Sequence, residues 1–456
     1  VSRFTVVIAA VVLALGLVAG GLSVLAARIG STVDTVRLTQ SLDGVSVLST
    51  VGVQFTLPMD HQSVERNMHV SPKIRGSYSW IGNELELLPS RRLAFHTTYH
   101  VTITQGARDS QGRSLFRAYR TSFTTQDEHL LYIGASGTEK GKLMLASVGG
   151  ARRTLTSGGA VHDFSVSLDG TLATFAKKSS ATSRTNQIWL VSVSDGSTQQ
   201  VFTRKDWQIT QPHLSPDGKD IVFLAENVRI CRKYYKCFRD NTTPIVELLD
   251  LQSHKVVQFH SSEDVPITDF VDFSPAGQIA FTDLGSPLTL ANVDGTHTIH
   301  IPNGNNELVY RGFDSTGAKA VFVGQTPTSS GGDVLVYGGG KYIDISKGVY
   351  DSSEPAFSSS GKAVAYAGYR GEKGIEPIYG ISAYNLKTGK TLRLTSERQF
   401  SDWSPVWSPD DRYIAFVRSR PQEAMYMGTG ELWISGANGS GARPLGPVAR
   451  EVRWVI

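Results

Sequence analysis

From about Val36 to Thr125 apolar and polar residues alternate in short runs, broken by Gly, Pro, Asn and Asp at intervals of roughly ten residues. Period-two runs of this length predict strands, and several in succession with turn residues between them predict a small all-β sandwich. The strand candidates are VSVLSTVGVQFTL, GSYSWIGNELELLP, TYHVTITQGA and YRTSFTT. Their alternation turns Trp80 and Tyr99 inward, as core residues rather than as an aromatic binding platform.

Beyond residue 129 the pattern takes a longer period. The units are FSVSLDGTLATF (Phe164 to Phe175), HLSPDGKDIVF (His213 to Phe223), DFSPAGQIAF (Asp272 to Phe281), GFDSTGAKAVF (Gly312 to Phe322), AFSSSGKAVAY (Ala356 to Tyr366) and VWSPDDRYIAF (Val406 to Phe416). Each places an apolar residue four positions before a turn residue and an aromatic four or five after it. The turn residues Gly170, Gly218, Gly277, Gly317, Gly361 and Asp411 are spaced by 48, 59, 40, 44 and 50. A second hairpin follows the units, as in QIWLVSVSDGSTQQVFT and IYGISAYNLKTGKTLRLT, so one repeat is two hairpins, the content of a four-stranded propeller blade.

The ends of this region complement each other. His129 to Thr156 holds three strands of a blade and lacks the first, whereas EVRWVI carries Trp454 47 residues after Trp407, where the next inner strand should begin. Pairing them predicts seven blades in a closed ring with no open sheet edge. With that strand the propeller is complete, and no hydrolase domain is expected to follow it.

The first module resembles the bacterial Ig-like domains of S-layer and other surface proteins, through FTLPMD (Phe55 to Asp60), GSYSWIGNELELLP (Gly76 to Pro89), TTYHVTIT, ARDSQGRSL and TSFTT. The repeats resemble the TolB-like (WD40-like) β-propellers of bacterial envelope proteins, through SPDG at Ser215 to Gly218, SPAG at Ser274 to Gly277 and SPDD at Ser408 to Asp411. Leu168, Asp314 and Ser359 depart from the turn motif without disturbing the period. The resemblance implies a binding or scaffold protein that presents a propeller to an envelope protein or cell-wall glycan, with the Ig-like module as a spacer. The same propeller serves many roles, so fold alone assigns none.

Phe4 to Ala27 is uncharged and long enough to cross a hydrocarbon core of about 30 Å as a helix. It reads as a transmembrane anchor, with cleavage as a signal peptide after VLAA (Val24 to Ala27) as the alternative. The expected organisation is a transmembrane helix at 4–27, an Ig-like sandwich at 36–125 and a propeller at 129–456, all-β apart from the anchor. The expected location is the cell membrane, single-pass, with the folded domains extracytoplasmic. The two cysteines, Cys231 and Cys237, fit a local disulfide in an oxidising space better than a metal site, which would need more ligands nearby; two free thiols are the other possibility.

The turns within hairpins are tight, whereas the connections on the opposite face carry insertions: KKSSATSRTN, ENVRICRKYYKCFRDNTT, QTPTSSGG, GYRGEKGIEP and RSRPQEAMYMGTG. Long loops gathered on one face of a rigid ring predict a binding surface there. These insertions hold twelve basic residues, Lys177, Arg370 and Arg418 among them, against five acidic ones, while the whole chain carries only +4. That balance is too mild to require nucleic acid, and no nucleic-acid partner is expected. The densest segment interleaves Arg229, Arg232, Lys233, Lys236 and Arg239 with Tyr234, Tyr235 and Phe238, a candidate contact for a protein or glycan.

Polar residues near the start of the innermost strands, namely Asp163, His213, Asp269, Arg311, Glu354, Ser404 and Glu451, are expected to ring the channel mouth. They form either a hydrated rim or a set of oxygen ligands. No cofactor is expected and no metal site is assigned, since the histidines show no metal-ligand spacing. The sequence contains neither GxSxG nor a phosphate-binding glycine loop. The enzymatic alternative is therefore a hydrolase or lyase acting on cell-wall sugar or peptide through channel carboxylates.

Overall fold

A computed structural model describes residues 30–158, 160–180, 183, 185–227, 244–260, 267–283, 286–304, 307–326, 331–347, 351–373, 376–397, 399–420 and 429–455. They divide into two compact units between Asp127 and Glu128. No helix among the described residues is long and apolar enough to cross a membrane, and the segment Phe4 to Ala27 lies outside them.

The first unit is a two-sheet sandwich. One sheet runs in the order Val33–Arg37, Val51–Phe55, Glu84–Pro89, Gly76–Ile81, and the other in the order Met68–Ser71, Thr98–Ile103, Tyr119–Thr124. Alternation sets the core: Tyr99, Val101 and Ile103 are buried along one strand, as are Val53, Phe55, Leu85 and Leu87 along the other sheet. A short helix, His61–Asn67, interrupts the strands, started by Asp60, whose carboxylate accepts the Ser63 N–H at 3.0 Å. Trp80 points to the inner face as its alternation predicts, opposite Leu85 in register and stacked on Phe55 at 6.0 Å, and the helix adds a second contact. Its strand is at the sheet edge and mostly exposed, so Trp80 is half-buried, stacked on His61 at 4.1 Å and donating its indole N–H to Glu65 at 3.0 Å.

The second unit is a β-propeller. Five antiparallel four-stranded sheets follow one another, with inner strands Val161–Val166, Trp207–Leu214, Ile267–Phe273, Glu307–Phe313 and Ser352–Phe357, and here they are blades one to five. A seven-stranded sheet makes the other two blades through one long strand, Arg443–Val455. Its first part pairs with Gly430–Gly436 as the outer strand of blade six, and its second part pairs with His129–Gly134 as the inner strand of blade seven. The closing register sets Trp454 opposite Leu130 and Val455 opposite His129, so the C-terminal segment and the start of the propeller share one blade.

The repeated aromatic is the centre of each blade. Phe175, Phe223, Phe281, Phe322, Tyr366 and Phe416 are each at most 1% exposed, and Tyr132 fills the same place in blade seven. Each contributes about 1.5–3 kcal/mol by burial. The turn motif has a local cause. In SPDG the Ser215 hydroxyl donates to Asp217 at 2.8 Å and accepts the N–H groups of Lys219 and Asp220, and Gly218 takes φ 69° to close the turn. Asp411 occupies the same left-handed position at φ 62°, a conformation that Asp tolerates better than most residues. In the departing unit Asp314 does the work of the serine, accepting from Lys319 N–H and Thr316 Oγ1.

Two insertions differ from their expected form. GYRGEKGIEP continues the blade-five hairpin, with Tyr369 opposite Tyr379 and Lys373 opposite Glu376. Arg418 is no loop cation: the strand Tyr413–Ser419 carries it into the protein, 3% exposed at its side chain, where it pairs with Asp402 at 2.7 and 3.1 Å and with Glu397. Its guanidinium also lies 4.2 Å from the Trp433 ring. Lys177 is likewise engaged, donating to Ser157 O at 2.9 Å and lying 5.2 Å from the Trp189 ring. The face is thus less basic than a residue count implies.

Glu128, buried at the start of the propeller, faces Asp410 of the blade-six turn. Burial pushes its carboxyl up to about 7, and the Asp410 carboxylate adds to the effect against Arg412. Between its ordinary 4.5 and about 7 the folded state holds a proton that the unfolded state has released, so stability falls as pH rises through that window. Glu128→Gln is expected to raise stability at pH 8 by about 2–3 kcal/mol and to leave it little changed near pH 4.5. Urea titrations at the two pH values check this; an equal effect at both would refute it.

Candidate functional site

The inner strands are all irregular at one level. Register shifts fall between Val161 and Asp163, Thr210 and His213, Ile267 and Val271, Tyr310 and Gly312, Ser353 and Ala356, Trp403 and Val406, and Arg450 and Val452. A bulge re-aims the side chains around it and frees backbone N–H groups from the ladder. At these bulges Gln211, Glu354, Ser404 and Glu451 take φ of 48–51°.

Carboxylates from neighbouring blades take up those N–H groups. Asp163 Oδ2 accepts the Gln211 N–H at 2.9 Å, joining blades one and two. Glu354 Oε2 accepts both the N–H and the hydroxyl of Ser404, at 2.5 and 3.1 Å, joining blades five and six. Arg450 joins blades seven and one by donating to the carbonyls of Val161 and His162, and it pairs with Glu451 at 3.1 Å. Burial raises the Glu451 carboxyl against the pull of Arg450, and Asp163 raises it further.

Between blades two and three, His213 Nδ1 meets Asp272 Oδ1 at 2.8 Å. Burial opposes charging of this imidazole, but Asp272 outweighs it and the His213 pKa is raised. Arg453 lies within electrostatic reach of His213. Tyr310, 3% exposed, packs against Phe270 at 5.0 Å. Its hydroxyl has no hydrogen-bond partner among the described residues, and burial, then Asp272, push its pKa well up. Among the described residues no group of three or more His, Cys, Asp and Glu is placed to hold a metal.

The sequence-derived rim therefore does not form one ring. Asp163, Glu354 and Ser404 sit seven residues before their turn residues, as do Gln211 and Tyr310, whereas His213 sits five before, Arg311 six and Asp269 eight. The bulges separate these levels. Arg311 is exposed, and the Asp269 side chain lies outside the described residues. Asp272, missed as a site residue, had a legible signal: it shares the repeat position of His213, where other units have Ser165, Gly312, Ala356 and Val406. Arg229, Cys231, Arg232, Lys233, Tyr234, Tyr235, Lys236, Cys237, Phe238 and Arg239 all lie outside the described residues.

Comparison with known proteins agrees with the two-unit division. Residues 28–125 match the family model for the bacterial Ig-like domain. No curated protein matches the chain. Among solved structures, TolB from Acinetobacter baumannii is similar at 16% identity and a TM-score of 0.42, over 80% of this chain and 81% of that one. An oligogalacturonate lyase from Vibrio parahaemolyticus is similar at 14% and 0.47, over 60% and 79% of the two chains. A prolyl endopeptidase is similar at 11% and 0.48, over 85% of this chain and 51% of that one. Likenesses at this level of identity leave activity unassigned, and the propeller assignment stands on the sheet order itself.

Proposed function

We propose that this chain is a membrane-anchored, extracytoplasmic binding or scaffold protein, its Ig-like unit serving as a spacer for a propeller that engages a protein or glycan of the cell envelope. The observation that carries this reading is the engagement of the inner-strand carboxylates. Asp163, Glu354 and Asp272 each hold a group of an adjacent blade, which makes them fasteners of a rigid ring rather than poised acids and bases. A rigid ring with long loops on one face suits recognition. Phe4 to Ala27 would supply the anchor and Arg229 to Arg239 the principal contact, with Cys231 and Cys237 closing that loop. A second reading, a hydrolase or lyase for cell-wall sugar or peptide, draws on the His213–Asp272 pair beside Arg453 and Tyr310.

Capture from detergent-solubilised envelope separates the two. The chain from Gly30 onward is expected to retain one defined protein or glycan, identified by mass spectrometry, and to lose it when Val228 to Asn241 are removed, with the thermal midpoint unchanged. Unaltered capture by the deletion variant would refute the loop's role. Turnover of an envelope glycan or peptide, abolished by His213→Ala, would favour the second reading.

A further inference from the structure

Away from the inner strands, the outer parts of blades four and five enclose a groove of about 420 Å³, bordered by Lys347, Ser382, Tyr384, Thr391 and Arg393. Its floor is fixed from beneath. Tyr366, 1% exposed, hydrogen-bonds Thr391, so ring and hydroxyl are held in one orientation. Its electrostatics are lopsided. Lys347 and Arg393 are exposed and form no ion pair among the described residues. Behind them Arg370 donates to Ile381 O at 3.0 Å and lies flat on Gly380, where an added Cβ would come within 2.2 Å of its guanidinium carbon.

Arg370 and Arg393 repel each other: burial first, then Arg393, bring the Arg370 pKa down to about 10. Of the acids nearby, Asp402 opposes that lowering but is itself forked by Arg418, and Asp344 has one carboxylate oxygen occupied by the N–H and hydroxyl of Ser346, at 2.9 and 3.1 Å. A groove with uncompensated cations at its rim, hydroxyls on its walls and a half-buried tyrosine ring matches a particular chemistry. Cations pair with an oxyanion, hydroxyls exchange hydrogen bonds with a polyol, and the ring covers C–H faces.

We propose that this groove binds an anionic polyol chain, through a carboxylate or phosphate group held by Arg393 and Lys347. The inference rests on the reading of the propeller as a binding module and gives it a ligand class and a place separate from the insertion loops. The test titrates the full chain in detergent with three probes at low salt: a glucuronate oligosaccharide, a poly(glycerol phosphate) oligomer and a neutral glucose oligomer of equal length. One or both anionic probes are expected to bind, weakening as salt rises, and the neutral one at least about tenfold less tightly. Which anionic probe binds distinguishes a carboxylate source from a phosphate source.

The double variant Lys347→Gln/Arg393→Gln should lose at least about tenfold in affinity, whereas Lys219→Gln, an exposed cation of blade two, should not. Both substitutions lie at exposed side chains, and an unchanged melting curve confirms the fold. Failure of both anionic probes to bind, or equal binding by the double variant, overturns the proposal. Removal of Val228 to Asn241 should leave probe binding intact. Loss of partner capture with retained probe binding is the expected separation of the two sites; loss of probe binding in the folded deletion variant would overturn the placement.

Discussion

Arg418→Ala is expected to destabilise the propeller by about 3–5 kcal/mol, the usual consequence of removing one member of a buried ion pair. The side chain is 3% exposed and forked onto an Asp402 carboxylate that is itself 1% exposed, so truncation strands a buried charge. The contact with the Trp433 ring is lost as well. Glu397, nearly half exposed, is solvated without its partner and adds little. For a unit of this size the melting midpoint should fall by roughly 4–7 °C. Arg418→Lys keeps the charge but neither the fork nor the planar stacking and should recover only part of the loss. The double variant Arg418→Met/Asp402→Leu should recover more than half, because no unpaired charge then remains. Scanning calorimetry of the four proteins decides: a single alanine variant that melts within about 2 °C of the parent would refute the assignment.

Arg418 also marks where sequence reasoning stops. The periodic aromatic, the turn motif and the closing strand were legible because each recurs or has a complementary gap elsewhere in the chain. A repeat of Phe175, Phe223, Phe281, Phe322, Tyr366 and Phe416 reports one buried position six times, and no single-residue ambiguity survives six samples. Arg418 occurs once, and the strand runs on through Ser419, past the aromatic that the repeat marks.

The inner-strand site was half legible for a related reason. Polar residues could be placed near the start of each inner strand, but a bulge adds a residue without leaving a sequence signature, so the level of each side chain shifts by one or two positions. Glu354 and Ser404 share a level and meet; His213 finds Asp272, 59 residues away, instead. In the sandwich, the period-two reading carried Tyr99 correctly to the core. It did not anticipate the helix His61–Asn67, whose Asp60 cap is a two-residue signal within a strand-rich segment. Trp80 keeps the inward face that the alternation of its strand assigns, stacked on Phe55, but it stays half-buried at the sheet edge, where His61 and Glu65 of that helix hold it.

Val452→Asp is expected to prevent the propeller from closing while leaving the Ig-like unit folded. Val452 is fully buried in the inner strand of blade seven, opposite Tyr132, and a carboxylate there has no partner at hand. An isolated buried charge and the lost valine together cost more than about 4 kcal/mol, beyond what surface substitutions reach. The consequence is wider than one strand. His129–Gly134 is buried along its whole length, and without its neighbour it presents unpaired N–H and C=O groups from the middle of a sheet. Removing Arg450 to Ile456 should do the same more completely, since it also deletes the Arg450 bonds to blade one and the Trp454 N–H bond to Val406 of blade six. Arg453→Gln, exposed on the same strand, is the control and should change stability by less than about 0.5 kcal/mol. Two-transition unfolding separates the units, because Trp80 is the only tryptophan before Asp127 and the other six follow it. The expected record is loss of the propeller transition in both variants with the Trp80 transition unmoved. A synthetic peptide of Arg450 to Ile456, added to the truncated chain during refolding, should restore the propeller transition in a concentration-dependent way. An unshifted propeller midpoint in Val452→Asp would show that the ring does not depend on this strand.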